Sequence, residues 1–473
     1  MTDNQGLMPN NVGLTDDLLF TLKPNSANAK SYRVSVTPTN KSIFAPSDTC
    51  IMYIPCGRKG TFLDTQQSYI KYTIWNQDTN NSITIDGTGA CVINRLDVFH
   101  GSNLLETVQQ YNVLYNFLTD FNMSATDRLG ASSIFGFNAI AYDLDNIRNG
   151  AVLGVSNATA FSAAGTNNRL TVCMPLLSGV VGMGLDKMLP VGFLSDDIRC
   201  EIVFESTNQG MVYANTNATK VSWAITGVEL ELCYVELESD SLAIINSVSP
   251  LNGPLFLHGN SFRHYTSTVP AGQSGQFSCL VPQRFASTKG LILCPRRGTE
   301  IASTAAGAES YSITSRSNFN IETYWFRIGS ALIPSRPVVL SSSTGQNASG
   351  YAEGYMEIQK YFHSLNTPFY SGCLPFSYYN VNENANGAVG SGGVIALNTA
   401  ANSFKNGFAI AQNLETYAQR NQTIINGYNT LSAQTFFECT ISTATGTAFI
   451  LNFFANYDHI LVKDETGLLS IRF

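Results

Sequence analysis

The second half of this chain retraces its first. Cys56-Gly57-Arg58-Lys59-Gly60-Thr61 follows an apolar run, Ile51-Met52-Tyr53-Ile54, and Cys294-Pro295-Arg296-Arg297-Gly298-Thr299 follows another, Leu291-Ile292-Leu293. Phe99-His100-Gly101-Ser102-Asn103-Leu104-Leu105 is matched by Arg327-Ile328-Gly329-Ser330-Ala331-Leu332-Ile333. Each Gly-Ser element then leads into a helix-like stretch, one around Tyr111 and the other around Tyr355. The three matches keep one order and lie about half of the 473 residues apart. A chain of this length exceeds what one hydrophobic core usually supports, so two related domains of roughly 220 residues are expected.

Period-two alternation runs between these landmarks. Tyr32, Val34 and Val36 alternate with Arg33 and Ser35, and Ile70, Tyr72 and Ile74 with Lys71 and Thr73. Val228, Leu230, Leu232 and Tyr234 alternate with Glu229, Glu231 and Cys233. Successive strand side chains point to opposite faces, so these segments read as half-buried strands. Turn-forming residues separate them at 76–81, Asp86-Gly87, Asn252-Gly253-Pro254 and 464–467. Many short strands without alternating long helices predict antiparallel sandwiches and not a parallel α/β sheet. Two helical stripes interrupt the pattern: Val108, Tyr111, Tyr115 and Leu118, reinforced by Leu114 and Phe121, and Tyr351, Tyr355, Ile358, Phe362 and Leu365. Both are expected to pack against a sheet. The expected division is an arm over 1–30, a first sandwich over 31–238, a connector over 239–261 and a second sandwich over 262–473. The Gly-, Ala-, Ser- and Asn-rich stretches 146–168, 341–350 and 382–403 are expected as surface insertions.

Charged residues make up 13% of the chain, against roughly 25% in an average soluble protein. Amides and hydroxyls supply the missing polarity, which suits large permanent contacts because burying such a surface strands few charges. The net charge is −7, and the basic pairs Arg58-Lys59 and Arg296-Arg297 read as solvated turns at strand ends. That is too few cations for extensive or sequence-specific nucleic-acid binding. The ten cysteines are scattered with no CxxC pair, so zinc knuckles and redox motifs are not supported and most thiols are expected reduced and buried, as after synthesis in a cytosol. Residues 1–24 lack the basic segment and apolar core of a secretory signal, and no apolar run approaches the ~20 residues that span a bilayer.

A search for chemistry finds none. The five histidines, His100, His258, His264, His363 and His459, have no metal-ligand spacing. Asp458-His459 is a tempting pair but interrupts a predicted terminal strand. Gly179-Val180-Val181-Gly182-Met183-Gly184 evokes a phosphate loop, yet Lys187 is followed by Met188 and Pro190 soon ends any helix. Asp64, Asp97, Glu322 and Glu357 are the candidate carboxylates for glycoside hydrolysis; as turn or edge residues they need no such role. No catalytic residue, no cofactor-binding residue and no metal ligand is expected.

The pattern resembles the double jelly-roll major capsid proteins of eukaryotic double-stranded DNA viruses, of the adintovirus, polinton-like virus and virophage type. One set of residues carrying the resemblance is Phe44-Ala45-Pro46 through Ile51-Met52-Tyr53-Ile54-Pro55, then Phe62-Leu63-Asp64 and Ser68-Tyr69-Ile70. The other is Tyr324-Trp325-Phe326-Arg327-Ile328-Gly329-Ser330, then Ile333-Pro334-Ser335-Arg336-Pro337-Val338 and the helix from Tyr351. The resemblance implies an all-β fold of two tandem eight-stranded antiparallel jelly-roll sandwiches with short inserted helices. It further implies a virion shell protein, made in the host cytoplasm or nucleus, that forms homotrimeric, pseudo-hexameric capsomers of an icosahedral capsid. Implied partners are other copies of itself, minor capsid and penton proteins, and an internal membrane where one exists. Two alternatives stay open at this point. One is a viral attachment or lectin-like glycan-binding protein, motivated by the aromatic and Asn content. The other is an RNA-virus capsid protein, in which only one half would be a jelly roll and the other a projecting domain.

Overall fold

The protein is described here as a computed structural model. It describes residues 28–78, 83–137, 168–206, 210–213, 222–248, 250–297, 313–314, 316, 318–340, 352–363, 407–417, 425–446 and 448–473, with strand pieces at 152–153, 301–302, 309–310, 388–389 and 393–394. The expected arm, almost entirely, and most of the three expected insertions lie outside the described residues.

The first half supplies eight principal strands: β1 (Ala29–Val36), β2 (Thr49–Ile54), β3 (Thr61–Asn76), β4 (Ile93–His100), β5 (Asn103–Gln109), β6 (Arg169–Pro175), β7 (Ile198–Phe204) and β8 (Trp223–Leu237). The second supplies β9 (Leu255–Val269), β10 (Gly275–Val281), β11 (Thr288–Arg297), β12 (Ile321–Ile328), β13 (Ala331–Val339), β14 (Ile410–Asn413), β15 (Thr435–Ile441) and β16 (Phe449–Lys463). A short β17 (Leu469–Arg472) returns along β16. In the first module the sheets run β1-β8-β3-β6 and β2-β7-β4-β5; in the second they run β9-β16-β11-β14 and β10-β15-β12-β13. Adding eight to every label in the first pair gives the second pair, and every pairing is antiparallel. Both halves are therefore jelly rolls, which excludes one jelly roll plus an unrelated projecting domain.

The alternation read from the sequence sets the faces. Ile70, Tyr72 and Ile74 of β3 and Val228, Leu230, Leu232 and Tyr234 of β8 are buried, while Tyr32, Val34 and Val36 of the outer strand β1 are half-buried. In β16 the alternation is weaker because both faces are largely covered. The Gly-Ser match marks equivalent turns, β4 to β5 and β12 to β13. Gly101 and Gly329 hold the turns at φ 56° and 60°, a left-handed conformation that suits glycine.

Two expectations need correction, and the expected connector can be described in more detail. Cys56 lies in the turn after β2, whereas Cys294 lies inside β11, so that match joins non-equivalent places; an apolar run ending in a basic group describes many strand ends. Val108 belongs to β5, and helix α1 (Tyr111–Asn122) is buried all round except at Leu118 and Asn122, so it is an enclosed helix and not a one-sided stripe. The segment 239–261 contains helix α3 (Ser239–Val248) and the start of β9, whose Leu257 is buried. The remaining helices are α2 (Ala125–Gly130), closed by a Ser124–Asp127 capping box, and α4 (Ala352–Tyr361). On and beside α4, Ile358 is buried and Tyr355 and Phe362 are half-buried against the core, as the second stripe predicts; Tyr351 and Leu365 lie outside the described residues.

Candidate assembly interface: the seam between the modules

The modules meet along β5 and β9, the edge strands they turn toward each other. Glu106 of β5 is 2% exposed and accepts hydrogen bonds from the Ser178 hydroxyl, the Gly179 N–H (2.8 Å) and, across the seam, the Ser261 hydroxyl of β9. Burial pushes its carboxyl above the ordinary range, against the opposing pull of those donors.

The glycine-rich run 179–184 is the other half of this contact. Asn260 N–H donates to Gly184 O (2.8 Å) and Asp186 N–H to His258 O (3.2 Å), so this loop takes up the outer edge of β9. A Cβ on Gly184 would stand 2.1 Å from Asn260 O, and one on Gly179 2.7 Å from the same oxygen. The glycines permit backbone to touch backbone; they cradle no phosphate. His459 is 2% exposed beside Gly179 and Gly259, and burial lowers its pKa to about 4.

Charged side chains bond across the seam at several places. Asp120 of α1 receives Arg128 (2.7 Å) from its own module and Arg316 (2.6 Å) from the other, all three almost fully buried. Arg316 also donates to Phe408 O (3.2 Å) and Gly407 O (3.3 Å). Asp86 accepts from Ile313 N–H and the Thr314 hydroxyl, each at 2.5 Å. Arg296 donates to Gln110 (3.0 Å) and is 8% exposed, so it is a buried seam residue and not the solvated turn expected; Arg58, paired with Glu236 at 2.9 Å, is exposed as expected. Aromatic packing joins the helices, with Phe362 5.7 Å from Phe117 and 6.1 Å from Phe121.

His258 carries a further link. Its Nδ1 faces Asp186 (2.5 Å) and its Nε2 faces Asp458 (3.1 Å), which also accepts from Ser287 (2.6 Å) and Lys289 (3.2 Å). The hydrogen bond to Asp458 chiefly raises the His258 pKa, and Asp186 adds to it against partial burial. Asp458 is thus the centre of an ion cluster and does not orient His459 toward a nucleophile. His100 is buried, accepts Leu469 N–H at Nδ1 (3.1 Å) and lies 3.1 Å through Nε2 from Asp196 O, tying β4 to β17. His264 bonds Asn452 (3.1 Å), and His363 pairs with Glu415 (2.9 Å).

The four candidate carboxylates do not converge. Asp64 accepts Gln66 and Gln67 N–H in an irregularity of β3, and Asp97 is held by Thr107 and Arg95. Glu357 of α4 is held by Lys360 and Gln412, and Glu322 lies on β12. A cavity of about 490 Å³ opens between α3, 192–195 and the 464–467 turn, with Glu465 its one acidic lining residue; a hydrolytic pair needs two. Among the described residues no three His, Cys, Asp or Glu side chains cluster as metal ligands. The nine described cysteines are all free, and burial pushes Cys50, Cys200 and Cys294 to about 12. Trp223 is buried, while Trp75 and Trp325 are half-buried within strands, so none forms an open stacking platform.

Glu106, Asp120, Asp86 and Arg316 were not singled out by sequence reasoning. The available signal was a charge where the pattern asks for an apolar residue: Glu106 sits within Leu104-Leu105-Glu106-Thr107-Val108, and Asp120 between Leu118 and Phe121.

No protein-family model and no curated protein matches the sequence. Solved structures do match. PBCV-1 VP54, fitted into a reconstruction of the virophage Sputnik, has a TM-score of 0.58 at 11% identity over 96% of this chain and 99% of that one. The Faustovirus major capsid protein has a TM-score of 0.54 at 10% identity, over 94% of this chain and 92% of that one. The mavirus major capsid protein has a TM-score of 0.53 at 10% identity, over 100% of this chain and 95% of that one. The fold is that of the double jelly-roll major capsid proteins. Coverage is nearly full in both directions, so the likeness spans both modules and not one alone.

Proposed function

We propose that this chain is a major capsid protein that acts by assembly and not by catalysis. Three copies form a pseudo-hexameric capsomer, and capsomers tile an icosahedral virion shell. The observation that carries this reading is the duplicated strand order within one chain, fixed by a buried seam. Two similar modules per chain turn a threefold assembly into six nearly equal units, which a sixfold lattice position requires. The low charge content and many amides suit such contacts, since desolvating them strands few ions. The exposed ends of the modules, with the segment preceding Asn28, are the surfaces proposed for minor capsid and penton proteins. The proposed domain division is two modules joined through α3.

Native mass measurement of the purified chain tests the reading. A trimer with a six-lobed outline in electron micrographs is expected. A strictly monomeric protein at high concentration overturns it.

A further inference from the structure

We infer that the last strand of the chain is an acid-released clasp: neutral His100 holds β17 on the first module, and protonated His100 lets it go. The clasp lies within one chain, so its release is the same event in a monomer or an assembly.

β17 is tied to its own module by the ladder to β16 and to the other module by Leu469. Leu469 N–H donates to His100 Nδ1 (3.1 Å), Asn103 Nδ2 donates to Leu469 O (3.4 Å), and the Leu469 side chain is fully buried. Just before it, Ser195 N–H donates to Gly467 O (3.1 Å). The end of the chain therefore straps the second module to the β4–β5 turn of the first. Comparison of the modules isolates the part played by the ring. One residue before the other turn glycine, Gly329, stands Ile328, 1% exposed. No strap arrives there among the described residues, because β8, the last strand of the first module, runs on into α3. An imidazole stands where a strap is bonded, and a hydrocarbon where none is.

The bonding fixes the state of the ring. Leu469 N–H only donates and Asp196 O only accepts, so Nδ1 is the bare nitrogen and Nε2 carries the proton. A proton added at Nδ1 points at the Leu469 N–H. Two donors then face each other in a buried site, which costs more than the loss of one bond. Burial holds the His100 pKa below the ordinary 6.5, against the bond to Asp196 O and the facing carboxylates of Asp196, Asp464 and Asp197. The clasp is thus intact above the ordinary value and is lost as pH falls through the lower, folded one. Asp464 in the turn is held below the ordinary carboxylate value by the Thr466 hydroxyl and Leu468 N–H, so it stays ionised while His100 titrates. Residues 465–467 wall the cavity of about 490 Å³, so release opens that cavity and uncovers Leu469.

The test follows the His100 ring by its nitrogen chemical shifts and peptide 464–473 by hydrogen exchange, from about pH 7 to about pH 4.5, with intrinsic rates corrected for pH. In the wild type the Nε2–H tautomer is expected at the upper end, and exchange of the peptide should rise at least about tenfold as the ring takes its second proton. His264 and His459 also charge in acid, at about 4, so one variant separates them from the clasp. His100→Asn offers an amide oxygen to Leu469 N–H and takes no proton in this range, and it should keep the peptide protected at the acid end. Protection that survives protonation of the ring overturns the clasp, as does His100→Asn losing it in step with the wild type. A ring that stays neutral until the whole chain unfolds overturns it as well. If His100→Asn does not fold, the wild-type comparison of ring and peptide decides.

Discussion

Strands β5 and β13 occupy the same place in the same topology, yet their sequences differ in kind. β5, Asn-Leu-Leu-Glu-Thr-Val-Gln, contains no proline and places a carboxylate at its centre, where three donors and the second module enclose it. β13, Ala-Leu-Ile-Pro-Ser-Arg-Pro-Val-Val, carries two prolines and an irregularity opposite Tyr324 and Phe326 of its partner strand, and its exposed Arg336 reaches the half-buried Glu353 at 2.7 Å. A permanently covered edge can hold a buried acid because its donors are always present. An edge that must exist uncovered before assembly needs apolar or solvated residues and protection against unwanted strand pairing. The same contrast separates the ion pairs, buried at Asp120 and solvated at Arg336.

The largest expected effect breaks that contrast at Asp120. Asp120→Ala leaves Arg128 and Arg316 buried side by side without their shared carboxylate, which should cost about 3–5 kcal/mol. Glu353→Ala, on α4 beside β13, removes only a solvated partner of Arg336 and should cost about 0–1 kcal/mol. Urea unfolding of both variants measures the gap, and equal midpoints would mean that the seam triad is not structurally special.

Next is the backbone contact at Gly184. Its Cβ would stand 2.1 Å from Asn260 O, and neither backbone can swing away as a side chain can. Gly184→Ala should cost about 1–3 kcal/mol and open the 179–186 loop to proteolysis. Arg33→Ala, on the uncovered β1, should leave the melting temperature of the isolated chain unchanged.

The seam should also respond to pH in two opposed ways. His258 has a raised pKa, so the stability of its charged form is fully present below the ordinary value near 6.5 and is lost as pH rises through its folded value. His459 is buried neutral with its pKa near 4, so its contribution is present above the ordinary value and is lost as pH falls through about 4. Melting temperature against pH should therefore sag on both sides of mildly acidic pH. His258→Gln should remove the loss on the alkaline side while leaving the acid side intact. An unchanged alkaline limb would remove His258 from the seam's energetics.

Much of the fold was legible in the sequence because it is local or periodic. Alternation gave β3 and β8 their faces, and the Gly-Ser turns gave the two-module equivalence, since both depend on neighbours in the chain. The seam was not legible. Glu106 meets Ser261 and Asp120 meets Arg316 across 155 and 196 residues, and no period relates such partners. The 179–184 glycines were noticed but could be given no role, because their reason is the backbone of Asn260, far along the chain. Arg296 misled for the same cause: beside Arg297 it reads as a solvated pair, and only the first module, with Gln110, buries it.

The smallest expected effect sharpens the comparison most. Leu104 and Leu332 are equivalent residues, each facing the second residue before its turn glycine (Phe99 and Arg327), and they are 51% and 47% exposed. β5 is buried over residues 105–108, and Leu104 is left uncovered. If the contact between copies repeats the seam, it must leave Leu332 uncovered too. Leu104→Ser and Leu332→Ser should then each change stability by no more than about 0.5 kcal/mol, and neither should alter association measured by native mass over a dilution series. A tenfold weakening by Leu332→Ser alone would mean that copies bury a residue that the seam does not, and that the two contacts of the molecule are built on different plans.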